Sequence, residues 1–377
     1  MFSTLKVSLH HSILKRIVVV AGFIGLFLMY YKSFPFPRCH LQSVPPQQMN
    51  THSGLHNTSA VRKEPTSAVV QRQSHIPLML LWSWPENKRF DLNICKNLLN
   101  IDRCHLTDNR SLYSMAHGVV IFHRTIQDDL SNLPAPPRPR FQRWIWFNTD
   151  SQKNTRRIPG IEHLFNLTLT YRKDGDIHVQ WQLSARKSTD KDFVLPPKQR
   201  LICWIVDKME LDTRLEERNR YYRELTKHIP VDVFDRTSLS DEDYFQTISS
   251  CKFYLSFEKS DDKDYITETF NGPLAVGTVP IVLGPPRKNY EEFFPGTSFI
   301  HVNDFSNAKV LADFLMKLDV DNKTYMSYFS WTRFYTARRH LTEEKYKFAH
   351  AICQACEYLS IYNVYRVVTD LYKWYFI

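Results

Sequence analysis

Glu258, Lys259, Tyr265 and Glu268 fall within one short polar stretch whose side chains could bind a ligand. Carboxylates accept hydrogen bonds, a cation meets phosphate charge, and an aromatic ring offers a stacking face. The same composition equally suits a solvated loop. Two acidic triplets, Asp174-Gly175-Asp176 and Asp319-Val320-Asp321, match the DxD pattern of many metal-dependent sites, but triplets this short are common and surface turns are the preferred reading. Cys353-Gln354-Ala355-Cys356 matches CxxC without a second such pair, which favours disulfide partners over zinc or redox chemistry. No GxGxxG, P-loop, HExxH or GxSxG pattern is present.

The elements that must position these groups follow from hydrophobic patterning. Residues 253–257 alternate aromatic and β-favouring side chains, and residues 278–283 are an apolar run stopped by Gly284-Pro285-Pro286, so both read as buried strands. Between them residues 266–276 predict a short helix that Asn271-Gly272-Pro273 bends or ends. Residues 299–302 supply a third strand. Alternating strand and helix predicts a parallel sheet with ligands beyond the carboxyl ends of the strands, where the 258–268 cluster lies. Upstream, residues 77–84, 118–122, 144–147 and 201–206 read as further strands, and the polar, proline-containing stretch 184–200 holds a domain boundary. The fold class is therefore α/β, with two Rossmann-like domains, residues 77–193 and 194–352, facing one another across a cleft.

A chain of 377 residues with 43% apolar and 14% aromatic content is long enough for two domains and is not a disordered composition. Residues 17–31 are an unbroken apolar run preceded by Lys6, Lys15 and Arg16, and no small-residue cleavage site follows. The pattern predicts a type II anchor: a cytoplasmic tail over residues 1–16, a membrane span over 17–34, and a polar stem over 35–76. Its shortness suits a thin Golgi bilayer. Sequons at Asn57, Asn109, Asn166 and Asn322 fit a luminal location, as do 7 cysteines, which make three disulfides with Cys39 left over. The unpaired Cys39 and the anchor permit a homodimer. A net charge of +10 fits an anionic small ligand, and the anchor and sequons argue against nucleic acid.

Residues 77–377 closely resemble the α-1,3-fucosyltransferases, type II Golgi enzymes that transfer fucose from GDP-fucose to N-acetyllactosamine-type glycans. The resemblance rests on LLWSWP at Leu80, CHLTDNRSLY at Cys104, WIWFN at Trp144, GIEHLFNLTLTYRKDGDI at Gly160, CKFYLSFE at Cys251, DYITE at Asp264 and VPIVLGPPRKNYE at Val279. It is closest to the enzymes that make Lewis x. It implies a metal-independent GT-B-type fold with no cofactor beyond the donor. The first domain would take the acceptor and the second GDP-fucose. It also implies disulfides Cys95 with Cys353, Cys104 with Cys356 and Cys203 with Cys251, the first two tying a tail of residues 353–377 back to the first domain. By the same resemblance Arg218 meets the diphosphate, and Tyr254, Tyr265 and Glu268 surround the guanosine and fucose.

The reaction of that family inverts the anomeric centre and needs one base for the acceptor hydroxyl. The family's glutamate in W-x-W-x-N-x-E-S is Asp150 here, one methylene or about 1.5 Å shorter. Further departures cluster on the donor side. The family lysine after Glu268 is Thr269, its Ser-Asn is Asp207-Lys208, its Asn after S-F-E is Lys259, and its P-Y-G is Gln180-Trp181-Gln182. Lys208 and Lys259 are candidates to replace the missing charge, and Trp181 to shape the pocket. The departures leave two readings: a working transferase with a remodelled donor site, or an impaired relative that binds glycans or partner proteins in the Golgi.

Overall fold

The computed structural model describes residues 76–135, 137–179, 183–207 and 217–377. The anchor, the stem, Cys39, Asn57, Trp181 and Lys208 lie outside the described residues. Among the described residues no helix is long and apolar enough to cross a membrane.

The first sheet contains β1 (Leu78–Leu81), β2 (His105–Thr107), β3 (Gly118–Phe122), β4 (Arg143–Asn148), β5 (Leu167–Thr170) and β6 (Ile177–His178). Its order is β2-β1-β3-β4-β5-β6 with every pairing parallel. Strands covered on both faces read as continuous apolar runs, as GVVIF and RWIWFN do. Alternate residues face opposite sides. Met79, Leu81, Val120, Phe122, Ile145 and Phe147 pack with helix Ala349–Ile361, whereas Leu80, Val119, Ile121, Trp144 and Trp146 pack with Leu371, Tyr372 and Tyr375 of helix Leu371–Tyr375. The end of the chain thus covers both faces of the first sheet.

Disulfides fasten that cover. Cys95 pairs with Cys353 and Cys104 with Cys356, the pairings the family resemblance implies, with Cα–Cα distances of 5.3 and 5.6 Å. Cys353 and Cys356 stand three residues apart on one helix, so both thiols leave the same face. The bridged residues are 258 and 252 positions apart, so the first loop closed is worth about 5 kcal/mol in the chain-entropy account, and the second adds less.

After β7 (Ser184–Ala185) comes the second sheet: β8 (Arg200–Val206), β9 (Asp232–Asp235), β10 (Cys251–Phe257), β11 (Val279–Leu283) and β12 (Ile300–His301). Its order is β12-β11-β10-β8-β9, again all parallel, and Cys203–Cys251 joins β8 to β10. Short β13 (Tyr335–Thr336) pairs antiparallel with β7. In both sheets the strand order reverses beside the first strand, which opens a crevice for ligands at the carboxyl ends.

Helix Glu268–Ala275 contains Pro273 and ends two residues beyond it. A proline there leaves the carbonyl of Thr269 without its helical donor. The Ser256 hydroxyl on β10 donates to that carbonyl at 2.8 Å and takes the place of the missing N–H.

Candidate active site

Asp150 lies just past the end of β4, and its surroundings fix it from several directions. Its backbone N–H donates to Asn148 Oδ1 at 3.3 Å, and its carbonyl accepts from the Tyr375 hydroxyl. Asn148 is itself held by Thr155, to which its Nδ2 donates at 2.8 Å. The side chain, only 11% exposed, accepts from Arg124 on both oxygens, through Nε and Nη2. Arg124 follows β3 as Asp150 follows β4, so two parallel strand ends present an acid and a base side by side. Arg124 Nη1 also donates to Glu86 Oε1 at 2.9 Å, and Glu86 pairs with Lys347 at 3.1 Å and Lys88 at 3.2 Å. The Asp150 carboxylate, followed by the charge of Glu86, holds the Arg124 guanidinium protonated beyond its usual range. A bidentate guanidinium is the tightest partner a carboxylate has. It orients Asp150 and leaves a second lone pair free of Arg124 on each oxygen.

The second sheet contributes a different set. Tyr265 is half-buried and packs edge-on against Tyr171 of the first half, ring centroids 5.0 Å apart. Burial raises its phenol well above the usual range, with further push from Glu258, Glu268 and Asp150. That last contribution places Tyr265 within electrostatic reach of the candidate base. Glu268 is exposed in the first turn of its helix, and Lys259 is exposed just past β10. Arg218 is 6% exposed in helix Glu217–Leu225, so it is not a surface charge.

Tyr254 is a correction. It is 1% exposed in mid-strand, packs with Cys203, Tyr244, Phe245 and Cys251, and donates its hydroxyl to Ile205 O at 3.4 Å. Ligands approach beyond strand ends, and Tyr254 stands too far inside β10 to meet one. Glu258, at the end of the same strand, is buried beneath the helix start. Its carboxyl accepts from Thr267 N at 2.8 Å, Thr267 Oγ1 at 2.9 Å and Thr269 Oγ1 at 3.3 Å. Burial outweighs those donors and pushes it up to about 8.

The acidic triplets are structural, though only Asp174-Gly175 is the expected surface turn: the Asp176 side chain is buried, and Asp319 and Val320 end helix Ala308–Val320. Asp174 bonds Arg172 at 2.8 and 2.9 Å, Asp176 accepts from Thr168 N and pairs with Arg366, Asp319 pairs with Lys252, and Asp321 caps the helix at Thr324. Among the described residues no three metal-ligating side chains gather. Asn109 and Asn322 are exposed. Asn166 is a second correction: at 1% exposure, its Nδ2, the atom that would carry a glycan, donates to Arg366 O at 2.7 Å while Oδ1 accepts from Trp144 N. In the folded domain that amide is spent on packing. The sequence reading also passed over Arg124, Glu86 and Tyr375. Only the position of Arg124, just beyond a buried strand as Asp150 is, signals its place.

Known proteins match this sequence along nearly all of the described residues. The N-terminal fucosyltransferase domain matches residues 74–182, and the C-terminal domain of glycosyltransferase family 10 (fucosyltransferase) matches residues 195–374. The chain belongs to glycosyltransferase family 10, the fucosyltransferases. It is 43% identical over 300 residues to 4-galactosyl-N-acetylglucosaminide 3-alpha-L-fucosyltransferase 9 of Rattus norvegicus, covering 79% of this chain and 81% of the relative. The enzyme of the same description designated FUT5 from Homo sapiens is 38% identical over 306 residues, covering 79% of each. A crystal structure of an alpha1,3-fucosyltransferase with GDP-fucose superposes with a TM-score of 0.48 at 15% identity, covering 82% of this chain and 96% of the other.

Proposed function

We propose that this chain is an inverting α-1,3-fucosyltransferase that moves fucose from GDP-fucose to the 3-hydroxyl of N-acetylglucosamine in N-acetyllactosamine-type glycans. The observation that carries the reading is the hydrogen bond that joins the two halves beside Asp150: the loop that leads to Tyr265 and Glu268 accepts the N–H of Gln152, two residues beyond Asp150, through Asp262 at 2.6 Å. The acceptor hydroxyl gives its proton to Asp150 as its oxygen bonds to the anomeric carbon. The bond from that carbon to GDP breaks on the opposite face, and GDP leaves with the electron pair. Arg218 and Lys259, with Lys208 as a third cation, meet the diphosphate charge, and Tyr265, Glu268 and Trp181 shape the donor pocket. The two sheets act as the halves of a GT-B-type enzyme, held in the Golgi lumen by the anchor at residues 17–34 and the stem that follows.

The test is incubation of the full-length protein in detergent with GDP-fucose and N-acetyllactosamine, without added metal. Formation of a fucosylated product that Asp150→Ala abolishes supports the reading. A protein whose melting temperature rises with GDP but which forms no product is instead a glycan- or partner-binding relative. That second reading is favoured by one observation, the hold of Arg124 on both Asp150 oxygens.

A further inference from the structure

The loop that precedes Glu268 reaches across to the first half and ends directly behind the candidate base. Asp262 Oδ2 accepts the backbone N–H of Gln152 at 2.6 Å, two residues beyond Asp150 and at the start of the turn Gln152–Asn154. Gln152 Nε2 in turn donates to Tyr375 O at 2.8 Å, and the Tyr375 hydroxyl donates to the carbonyl of Asp150. Two residues along the loop, Asp264 Oδ2 accepts the N–H of Lys173 at 3.0 Å. Asp264 is buried with φ 68°, and Asn289 clamps it from both sides, accepting its N–H at 2.6 Å and donating to Oδ1 at 2.7 Å. A non-glycine residue stays in the left-handed region only where its surroundings overdetermine it. The loop is therefore a rigid strap, and Tyr265 is its next residue.

We infer that Asp262 is a positioning residue for Asp150, tying the donor-side strap to the backbone under the base so that a ligand seated beside Tyr265 is felt at Asp150. A carboxylate on a backbone N–H is a charge-assisted bond, among the stronger and shorter kinds. It holds the turn that sets where the Asp150 carbonyl and side chain lie. Asp264 and Asn289 hold the other end, so movement of the strap passes to Gln152. The neighbouring Asp261 has no such role: it pairs with Lys153 at 3.0 Å, and both side chains are exposed. The catalytic consequence rests on the transferase reading above; the tie itself does not.

The experiment uses the full-length protein, with hydrogen exchange across residues 148–158 and steady-state kinetics. Asp262→Ala speeds exchange at residues 151–154 and lowers kcat by about ten- to a hundredfold, the usual cost of misplacing a reacting group by about 1 Å, with KM for GDP-fucose little changed. Asp262→Asn keeps an acceptor oxygen for Gln152 and restores most of both, and Asp261→Ala behaves as wild type. GDP, used as the probe, slows exchange at residues 151–154 in the wild type and not in Asp262→Ala. Unchanged exchange in Asp262→Ala overturns the inference, as does faster exchange with normal kcat, or an Asp262→Asn as impaired as the alanine variant. If Asp262→Ala does not fold, Asp262→Ser, too short to span to Gln152, takes its place. A wild type that forms no product sinks the transferase reading instead; the tie then stands if the alanine variant but not the asparagine variant releases residues 151–154, and falls if neither does.

Discussion

Glu258 offers the sharpest quantitative test, because this chain has a hydroxyl where the family resemblance places a lysine. Its carboxyl is buried among one backbone N–H and the hydroxyls of Thr267 and Thr269, and burial lifts it from 4.5 to about 8. Between those values the unfolded chain carries Glu258 ionised while the folded protein carries it as the acid. The raised folded pKa means that its contribution to stability is complete below 4.5 and is lost as pH rises through 8. The slope is about 1.4 kcal/mol per pH unit, so near neutrality the penalty is on the order of 3 kcal/mol. Glu258→Gln removes the titrating group and keeps an oxygen for Thr267 N. It is expected to flatten the decline of stability between about pH 5 and 8 and to be the more stable protein at the upper end. Thr269→Lys is the complementary change: an ammonium about 4 Å away gains about 4 kcal/mol at an effective dielectric near 20, enough to ionise Glu258 at neutral pH. That variant should also bind GDP more tightly, read as a larger rise in melting temperature with nucleotide. Urea unfolding of the three proteins across that pH range decides the matter. A Glu258→Gln protein that is less stable than wild type at the upper end, with the pH slope unaltered, refutes the reasoning.

Two further outcomes follow from the Asp150 neighbourhood. Removing the guanidinium in Arg124→Ala takes away both bonds that orient the Asp150 carboxylate, so kcat should fall by about ten- to a hundredfold; Arg124→Lys, which keeps charge but not the paired bonds, should fall between, and an unchanged kcat denies Arg124 any part in orienting Asp150. His123 accepts from Trp146 Nε1 at 3.1 Å on Nδ1 and lies 2.9 Å from Arg156 O on Nε2, so it is neutral with its proton on Nε2, and burial lowers it from 6.5 to about 4. A depressed folded pKa gives stability that is present above 6.5 and lost as pH falls toward 4, so His123→Gln should weaken the acid-side loss seen in unfolding between those limits.

Asp150 is held through its N–H, its carbonyl and both side-chain oxygens, which fixes where a side chain one methylene shorter than glutamate can lie. Glu86 in turn holds Arg124.

Period and composition were enough to determine the two parallel sheets and the place of the polar cluster beyond β10, because burial on both faces writes continuous apolar runs into a strand and leaves ligand groups just past its end. Family resemblance added Asp150 and the disulfide partners. What the linear order could not carry were contacts between residues far apart along the chain. Arg124 meets Asp150, Tyr375 meets the Asp150 carbonyl, and Asp262 meets Gln152 only after the two sheets and the C-terminal helices have packed. By resemblance Tyr254 is a ligand residue until the strand's depth makes it core, and Asn166 looks like a glycan acceptor until Arg366 and Trp144 take its amide. Pro273 removes a helical hydrogen bond, and Ser256, from a neighbouring strand, supplies its replacement. In each case the local pattern states what a residue can do, and tertiary packing decides which partner it does it with.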